Sequence, residues 1–402
     1  MISVGIDVSK EKSTVCILKP YGEIVSKPFE ISHSSEDFKL LDNLLKRLDG
    51  EIKIVMEATG IYHLPVVLYF VELGYFVSVI NPYGMKKYAK NTSIRLAKTD
   101  KLDSITIANY GLEKWDKLEA FKQDDSVYEE LKLLGRRYRA YMELHVKALL
   151  ELTHMLDYTM PGIKREFKAW DERYNKDKLS DFVERFWHYD LITSMSLEEF
   201  ITEYNSWAKE KEYQPSNSKA VKIYELATAG IPTLSSSIPS TKMLMLEAIS
   251  SLRAINNSLN EILTRMKKLA KTLPEYPVVR EMGGVGDVLA PKLIAEIGDI
   301  RKLHSSKALI ACAGIDPPPF QSGQFIGTQR RISKRGSATL RKVGYEVMRM
   351  LTCHNEPKDN AVYLYIKKKE NEGKNKKQAK IAGLNKFLRI YYARVSEVYN
   401  TE

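Results

Sequence analysis

Ile2-Ser3-Val4-Gly5-Ile6-Asp7-Val8-Ser9-Lys10 is the stretch that decides the fold. It is a β-rich run with Asp7 set between the apolar neighbours Ile6 and Val8, where a carboxylate is costly to bury unless it is paired or bound to a cation. Two more β-rich runs follow at 13–18 and 23–31, with Tyr21-Gly22 as a turn signal, so the three read as a meander. A helix is predicted at 35–48, behind Ser34, Ser35 and Glu36, which supply capping oxygens and a charge suited to a helix start. Ile52–Glu57 reads as a fourth strand, 61–73 as a helix, Phe76–Ile80 as a fifth strand and 98–110 as a helix. Three hairpin-connected strands followed by alternating helices and strands is the order of a mixed α/β sheet, as in ribonuclease-H-like folds.

Three more acids join Asp7. Glu57 ends Ile54-Val55-Met56-Glu57, a second acid at a strand position. Asp100 and Asp103, in Lys98-Thr99-Asp100-Lys101-Leu102-Asp103, are three apart and share one helix face, where like charges repel unless something cationic sits beside them. Magnesium supplies that charge: it is a hard cation that takes carboxylates and water and leaves positions for phosphate oxygens. Two such ions stabilise the attacking and leaving oxygens of phosphodiester chemistry. Any one of these acids alone is more often a cap, a surface residue or half of a salt bridge. The set of four, in the order strand, strand, helix, reads instead as a site holding one or two Mg2+ against a nucleic-acid phosphate.

Beyond residue 124 the texture changes to long helices. Val127, Leu131, Leu134, Tyr138, Tyr141, His145, Ala148, Leu152 and Met155 alternate steps of four and three, the spacing of a coiled-coil seam. Ile249, Leu252, Ile255, Leu259, Ile262, Met266 and Leu269 form a second such run. The two could pair as an antiparallel hairpin or each with a partner subunit. Between them, 164–240 reads as a small helical insertion closed by the Ser-rich loop 234–240. A third unit begins near Pro274, with a helix at 285–297 opened by Gly283-Gly284-Val285-Gly286 and a short helix at 305–313. Pro317-Pro318-Pro319 marks a break, and 321–336 is polar, Gly-containing and basic. Helices at 338–350 and 381–398 flank the Lys-rich stretch 367–380.

Composition narrows the class. The 402 residues are 44% hydrophobic and 28% charged, near globular averages, which argues against wholesale disorder. No uninterrupted apolar run approaches the roughly 20 residues needed to cross a bilayer, and residues 1–10 have neither the basic start nor the apolar stretch of a signal peptide. A cytoplasmic protein with no membrane partner is expected. Cys16, Cys312 and Cys353 are far apart and lack the spacing of a zinc site or a disulfide framework, and Cys353-His354 has no companion ligands. The net charge is +11, and residues 321–402 alone hold 18 Lys and Arg against 7 Asp and Glu, also +11, leaving the first 320 residues neutral. An excess confined to one end, and clustered without obvious salt bridges, suggests a module facing nucleic acid.

Several of these segments carry a resemblance. The chain resembles the DEDD transposases of bacterial insertion sequences related to the Piv invertase, a group of bridge-RNA-guided serine recombinases. The matching residues are Gly5-Ile6-Asp7-Val8-Ser9-Lys10, Met56-Glu57-Ala58-Thr59-Gly60, Asn81-Pro82 and Lys98-Thr99-Asp100-Lys101-Leu102-Asp103. Downstream they are Gly283-Gly284-Val285-Gly286, Ala295-Glu296-Ile297-Gly298-Asp299-Ile300, Ala313-Gly314-Ile315-Asp316-Pro317, Gln321-Ser322-Gly323 and Ile332-Ser333-Lys334-Arg335-Gly336. The resemblance implies a RuvC-like DEDD domain at 1–122, a coiled-coil arm at 123–272 with the insertion at about 164–240, a mainly helical catalytic domain at 273–355, and a basic helical extension at 356–402. It also implies donor and target DNA, a structured noncoding guide RNA, and a homodimer or tetramer through the arm. The family's nucleophile falls on Ser322.

The residues themselves support that assignment only in part. Serine is a poor nucleophile until its proton is removed or its oxygen is drawn to a metal, and no His lies near Ser322 in sequence. A Ser in a Gly-containing polar loop is by itself most often a turn residue. The missing local base points to activation by the four acids through magnesium, which requires the two domains to meet, within one chain or across subunits.

For nucleic acid, the candidates are Lys10, Arg330, Arg331, Lys334, Arg335, Arg341 and Lys342, with Gly284 and Gly286 as a turn whose N–H groups could hold a phosphate at a helix start. Lys367, Lys368, Lys369, Lys374, Lys376, Lys377 and Lys380 read as a flexible backbone-binding segment, with RNA as plausible a ligand as DNA. Tyr391 and Tyr392 could stack on bases, although an aromatic pair on a helix is more often core. Three other readings compete with strand exchange. A Holliday-junction nuclease would use the same acids to hydrolyse. A sugar-kinase-like ATPase leaves Asp100 with Asp103 unexplained, and a noncatalytic nucleic-acid binder accounts for the basic end alone.

Overall fold

The computed structural model describes residues 1–92, 99–123, 125–167, 177–318, 321–322, 325–326, 331–353 and 360–400; for 92, 321, 322, 325 and 326 it describes the backbone alone. The chain divides into two compact units, Met1–Gln123 and Asp124–Glu402.

The first unit is built on a five-stranded mixed sheet. Its strands are β1 (Ile2–Val8), β2 (Lys12–Leu18), β3 (Ile24–Ser32), β4 (Ile52–Glu57) and β5 (Phe76–Ile80), in the spatial order β3-β2-β1-β4-β5. β1, β2 and β3 pair antiparallel as the expected meander, while β4 and β5 run parallel to β1. Among the described residues four α-helices accompany them: α1 (Ser35–Leu45), α2 (Leu64–Glu72), α3 (Pro82–Thr92) and α4 (Asp100–Glu113). Ser34 caps α1 by accepting from the Asp37 amide, and Thr99 caps α4 by accepting from Leu102. Each such cap contributes about 1 kcal/mol. The helix predicted at 61–73 starts later, because Pro65 sits in the first turn of α2 and residues 60–63 form turns. The mainly polar α3 has no counterpart in the sequence reading.

The alternation of β1 separates two faces. Ile2, Val4, Ile6 and Val8, with Ile54 and Met56 of β4, are buried with Phe38, Leu41 and Leu45 of α1 and Val66, Val67 and Phe70 of α2. Ser3, Gly5 and Asp7 therefore turn to the opposite face, which α4 covers through Ile107 and Ala108.

Among the described residues the regular elements of the second unit are helices and one small hairpin. Its helices are α5 (Ser126–Thr159), α6 (Lys178–Arg185), α7 (Tyr189–Thr193), α8 (Leu197–Glu210), α9 (Asn217–Ala229), α10 (Pro239–Ala270), α11 (Tyr276–Arg280), α12 (Leu289–Ile297) and α13 (Ser306–Ala313). The two-residue strands β6 (Gln321–Ser322) and β7 (Phe325–Ile326) follow, then α14 (Ala338–Cys353), α15 (Ala361–Asn371) and α16 (Lys376–Asn400).

The two long helices α5 and α10 pack antiparallel against one another within the chain. Glu130 meets Arg265 at 2.8 Å near one end, and the His145 ring nitrogen meets Asn256 Oδ1 at 2.7 Å farther along. One end of the pair shares a core with α6–α9, the other with α11–α16. Among the described residues no helix is long and apolar enough to cross a membrane.

Two expectations change here. The helix predicted from Val285 starts at Leu289, so the glycine turn precedes it by a few residues. The stretch 367–380 is not a flexible segment: it is the end of α15, a turn and the start of α16, with Lys367 on Glu370 at 3.3 Å and Lys369 on Glu372 at 2.6 Å.

Candidate active site

Sheet register brings the first two acids side by side. β1 and β4 run parallel with Ile6 opposite Met56, so Asp7 and Glu57, each one residue farther along, leave the sheet together on the α4 face. Both are half-buried.

The third and fourth acids arrive by packing. A Cβ on Gly111 would strike Ser3 at the start of β1, and one on Gly5 would strike the backbone of Ser104 and Ala108. Residue numbers thus fall along α4 as they rise along β1, and the first turn of α4, with Asp100 and Asp103, lies toward the Asp7 end. Asp100 also acts at long range on Lys12 of β2. The Lys12 ammonium, hydrogen-bonded to Glu30 at 2.9 Å, is pushed above its ordinary pKa first by Glu30 and to a lesser degree by Asp100.

The four carboxylates thus come from β1, β4 and α4 to one rim of the sheet. Among the described residues no three acids, histidines or cysteines close up around a point where an ion would sit. The repulsion between Asp100 and Asp103 also needs no cation by itself. At a helix start each gains about 0.3–1 kcal/mol from the dipole, against about 0.2–0.5 kcal/mol lost to a like-charged neighbour. Asp100 and Asp103 lie toward the same end of the sheet as Asp7 and Glu57. Lys10 is exposed in the β1–β2 turn, beside the same rim.

In the second unit the backbone of Ser322 lies in β6, opposite Phe325 of β7. Arg330 and the side chain of Ser322 lie outside the described residues. The feet of the loop that carries Ser322 are zipped together. The Ser333 amide donates to the Asp316 carbonyl at 2.9 Å and its hydroxyl to Asp316 Oδ1 at 2.6 Å. Lys334 N donates to Gly314 O at 2.9 Å, and Ser337 N to Cys312 O at 2.7 Å. Arg341 Nη1 ties both feet by donating to Ala313 O at 3.0 Å and Gly336 O at 2.9 Å. The closure forces Lys334 to φ +54°, a left-handed conformation that a side chain resists.

Arg341 is therefore half-buried and holds backbone rather than facing solvent. Arg331, Lys334, Arg335 and Lys342 are exposed. Lys367 and Lys368 are exposed on α15, and Lys369 is mostly covered. Gly284 has a packing role: φ is +81°, and a Cβ there would lie 2.6 Å from Val347 O of α14. Gly286 faces open space, and its carbonyl accepts from Leu289 and Ala290 as α12 begins. Tyr391 is core, and Tyr392 donates to Leu303 O at 2.9 Å. The three cysteines are free, and His354 lies outside the described residues.

The sequence reading missed the structural part played by Asp316 and Ser333. An Asp directly before the proline run is a signal that could have found the first; Ser333 carries no such mark in the sequence. It also passed over Glu296, half-buried on α12, whose carboxyl burial pushes above its usual range while the Ser337 hydroxyl donates to it at 3.2 Å.

A family model for DEDD transposases of IS110 elements, described as "Transposase", matches residues 4–161, and a second, "Transposase IS116/IS110/IS902 family", matches residues 276–364. The pilin gene-inverting protein of Moraxella bovis is 25% identical over 342 residues, 85% of this chain and 79% of that protein. The transposase for insertion sequence element IS1111A of Coxiella burnetii is 33% identical over 132 residues, 32% of this chain and 35% of that protein. Among solved structures, T. thermophilus RuvC in complex with Holliday junction substrate aligns with 30% of this chain and 100% of that one, at 14% identity and a TM-score of 0.24, too slight a likeness to build on.

Proposed function

The chain belongs to the IS110 family of DEDD transposases, and from that premise we propose that it cleaves and rejoins DNA strands through a serine–phosphate link formed by Ser322. The observation that carries the reading is the shared rim of Asp7, Glu57, Asp100 and Asp103, set by the β1–β4 register and by the direction of α4 along β1.

The donor set is all carboxylate, the oxygen chemistry that suits magnesium rather than zinc or copper. When bound, magnesium supplies the positive charge that makes a hydroxyl easier to ionise and a phosphate easier to attack. In this reading the four acids hold one or two such ions, and the half-buried pair Asp7 and Glu57 fixes their place most rigidly. Ser322 Oγ loses its proton and bonds to phosphorus while the bond from phosphorus to one sugar oxygen breaks; that oxygen takes up a proton. One phosphoester replaces another, so the link can be passed to a second strand without outside energy. Arg331, Lys334, Arg335 and Lys342 would contact phosphates around the serine loop, with Arg330, Lys10, Gly286 and the lysines of α15 as further contacts.

Donor and target DNA, a structured noncoding guide RNA, assembly as a dimer or tetramer through α5 and α10, and a cytoplasmic setting complete the proposal. Strand exchange on supercoiled plasmids, with and without magnesium, tests it. Activity lost in both Asp7→Asn and Ser322→Ala supports it. Magnesium-dependent hydrolysis that survives Ser322→Ala would make the chain a structure-selective nuclease instead.

A further inference from the structure

Lys132, Arg136 and Arg139 stand at i, i+4 and i+7 along α5, which places all three on one exposed face. Like charges at these spacings work against a helix unless something anionic lies over them. Among the described residues Lys132 and Arg136 form no ion pair, and Arg139 shares a 3.4 Å contact with Glu143, a pair too exposed to offset a row of three charges. Glu296 lies within the field of all three but is half-buried and already accepts from Ser337.

The row does not end on α5. Arg139 Nη1 donates to Thr339 Oγ1 at 2.6 Å, tying this face to the first turn of α14. Lys342 is exposed three residues on from Thr339, on the same side of α14. Lys334 and Arg335 are exposed in the segment that leads into that helix, and Lys334 is held there in left-handed backbone. Two helices and a pinned loop thus bring exposed cations to one strip, with Glu143 beside its Arg139 end.

We infer that the junction of α5 with the start of α14 is a seat for the phosphate backbone of duplex DNA, with Lys132, Arg136 and Arg139 as its outer contacts. Spaced cations on a rigid helix match a regularly charged polyanion and would release its condensed counterions on binding. The choice of DNA rests on the proposed role of Ser322, because the loop that carries it rises from the same 332–337 segment. A strand held along the strip would be led to that loop.

The test uses the full-length protein in a Ser322→Ala background, so that binding is read apart from any serine chemistry. Anisotropy titrations of a labelled duplex at several salt concentrations compare K132Q/R136Q with the parent and with K209Q, an exposed lysine on α8. The double variant should bind at least tenfold more weakly, and its slope of log affinity against log salt should fall by about 2, near 0.9 per lost phosphate contact. K209Q and all melting temperatures should stay at parent values. An unchanged slope and affinity in the double variant would overturn the seat. So would intact duplex binding with weakened binding of a structured RNA hairpin, which would give the strip to RNA. A missing serine–DNA adduct in the active protein would sink the serine reading and leave these slopes untouched.

Discussion

Gly5 lies against Ala108 so closely that a Cβ on the glycine would collide with the alanine's amide nitrogen and with the Ser104 carbonyl. Helix α4 therefore rides directly on the backbone of β1, which fixes how near Asp100 and Asp103 come to Asp7. Gly5→Ala should destabilise the first unit by about 1–3 kcal/mol, the usual cost of overpacking. It should also cut strand exchange well beyond what the unfolded fraction explains. Urea melts alongside plasmid assays check this, and activity that tracks folded protein alone would contradict it.

The bond from Ser333 to Asp316 makes a separate prediction. If this pair sets the loop that carries Ser322, Ser333→Ala should lower the rate of the chemical step by roughly tenfold or more, while DNA affinity and the melting temperature change little, since a misplaced nucleophile loses rate steeply. Ser333→Thr, which keeps the hydroxyl, should restore most of the rate. Single-turnover rates at saturating DNA provide the readout, and equal losses in both variants would remove the hydroxyl from the account.

Glu275 anchors the chain's last helix. It accepts from Tyr128 at 2.6 Å and from Tyr399 at 2.5 Å, joining the start of α5 to the end of α16. Burial first, and then the bond to Glu275, push both phenols well above their usual pKa near 10. A raised folded-state pKa favours the protonated form. Its stabilising contribution is thus complete below about pH 10 and fades as pH rises past the unfolded value. Urea midpoints should fall more steeply above about pH 10 in the parent than in Tyr399→Phe. Parallel curves would show that the phenol does not couple to folding. Glu275→Ala, which leaves the Tyr128 and Tyr399 hydroxyls only each other as partners, should cost about 1–3 kcal/mol at neutral pH.

The sheet was readable because its strands are short, β-rich and bounded by turns, and the five observed strands fall within a residue or two of their expected places. Helix α3 was not, since its packed face is only Met85 and Tyr88 among polar residues, too short a stripe to mark a helix. The acids could be picked out one by one, but their placement toward one end of the sheet depends on the Ile6–Met56 register and on contacts of Gly5 and Gly111 that no spacing rule supplies. Arg341 shows the opposite failure. Among neighbouring cations it looked like a phosphate contact, yet its guanidinium is spent on two carbonyls. Lysine density likewise suggested a flexible backbone-binding segment where i,i+3 pairs with Glu370 and Glu372 lace an ordered helix end.

In the proposed mechanism Ser322 bonds to DNA with the help of the four rim acids. Denaturing the protein during turnover on end-labelled substrate and sequencing the labelled peptide measures this directly. The account predicts a magnesium-dependent protein–DNA adduct on the peptide containing Ser322, absent in Ser322→Ala and reduced at least a hundredfold in Asp7→Asn and Glu57→Gln, in line with the loss of a main electrostatic contribution to catalysis. Cleaved DNA with no adduct at any time point, or an adduct that persists in Ser322→Ala, would contradict it.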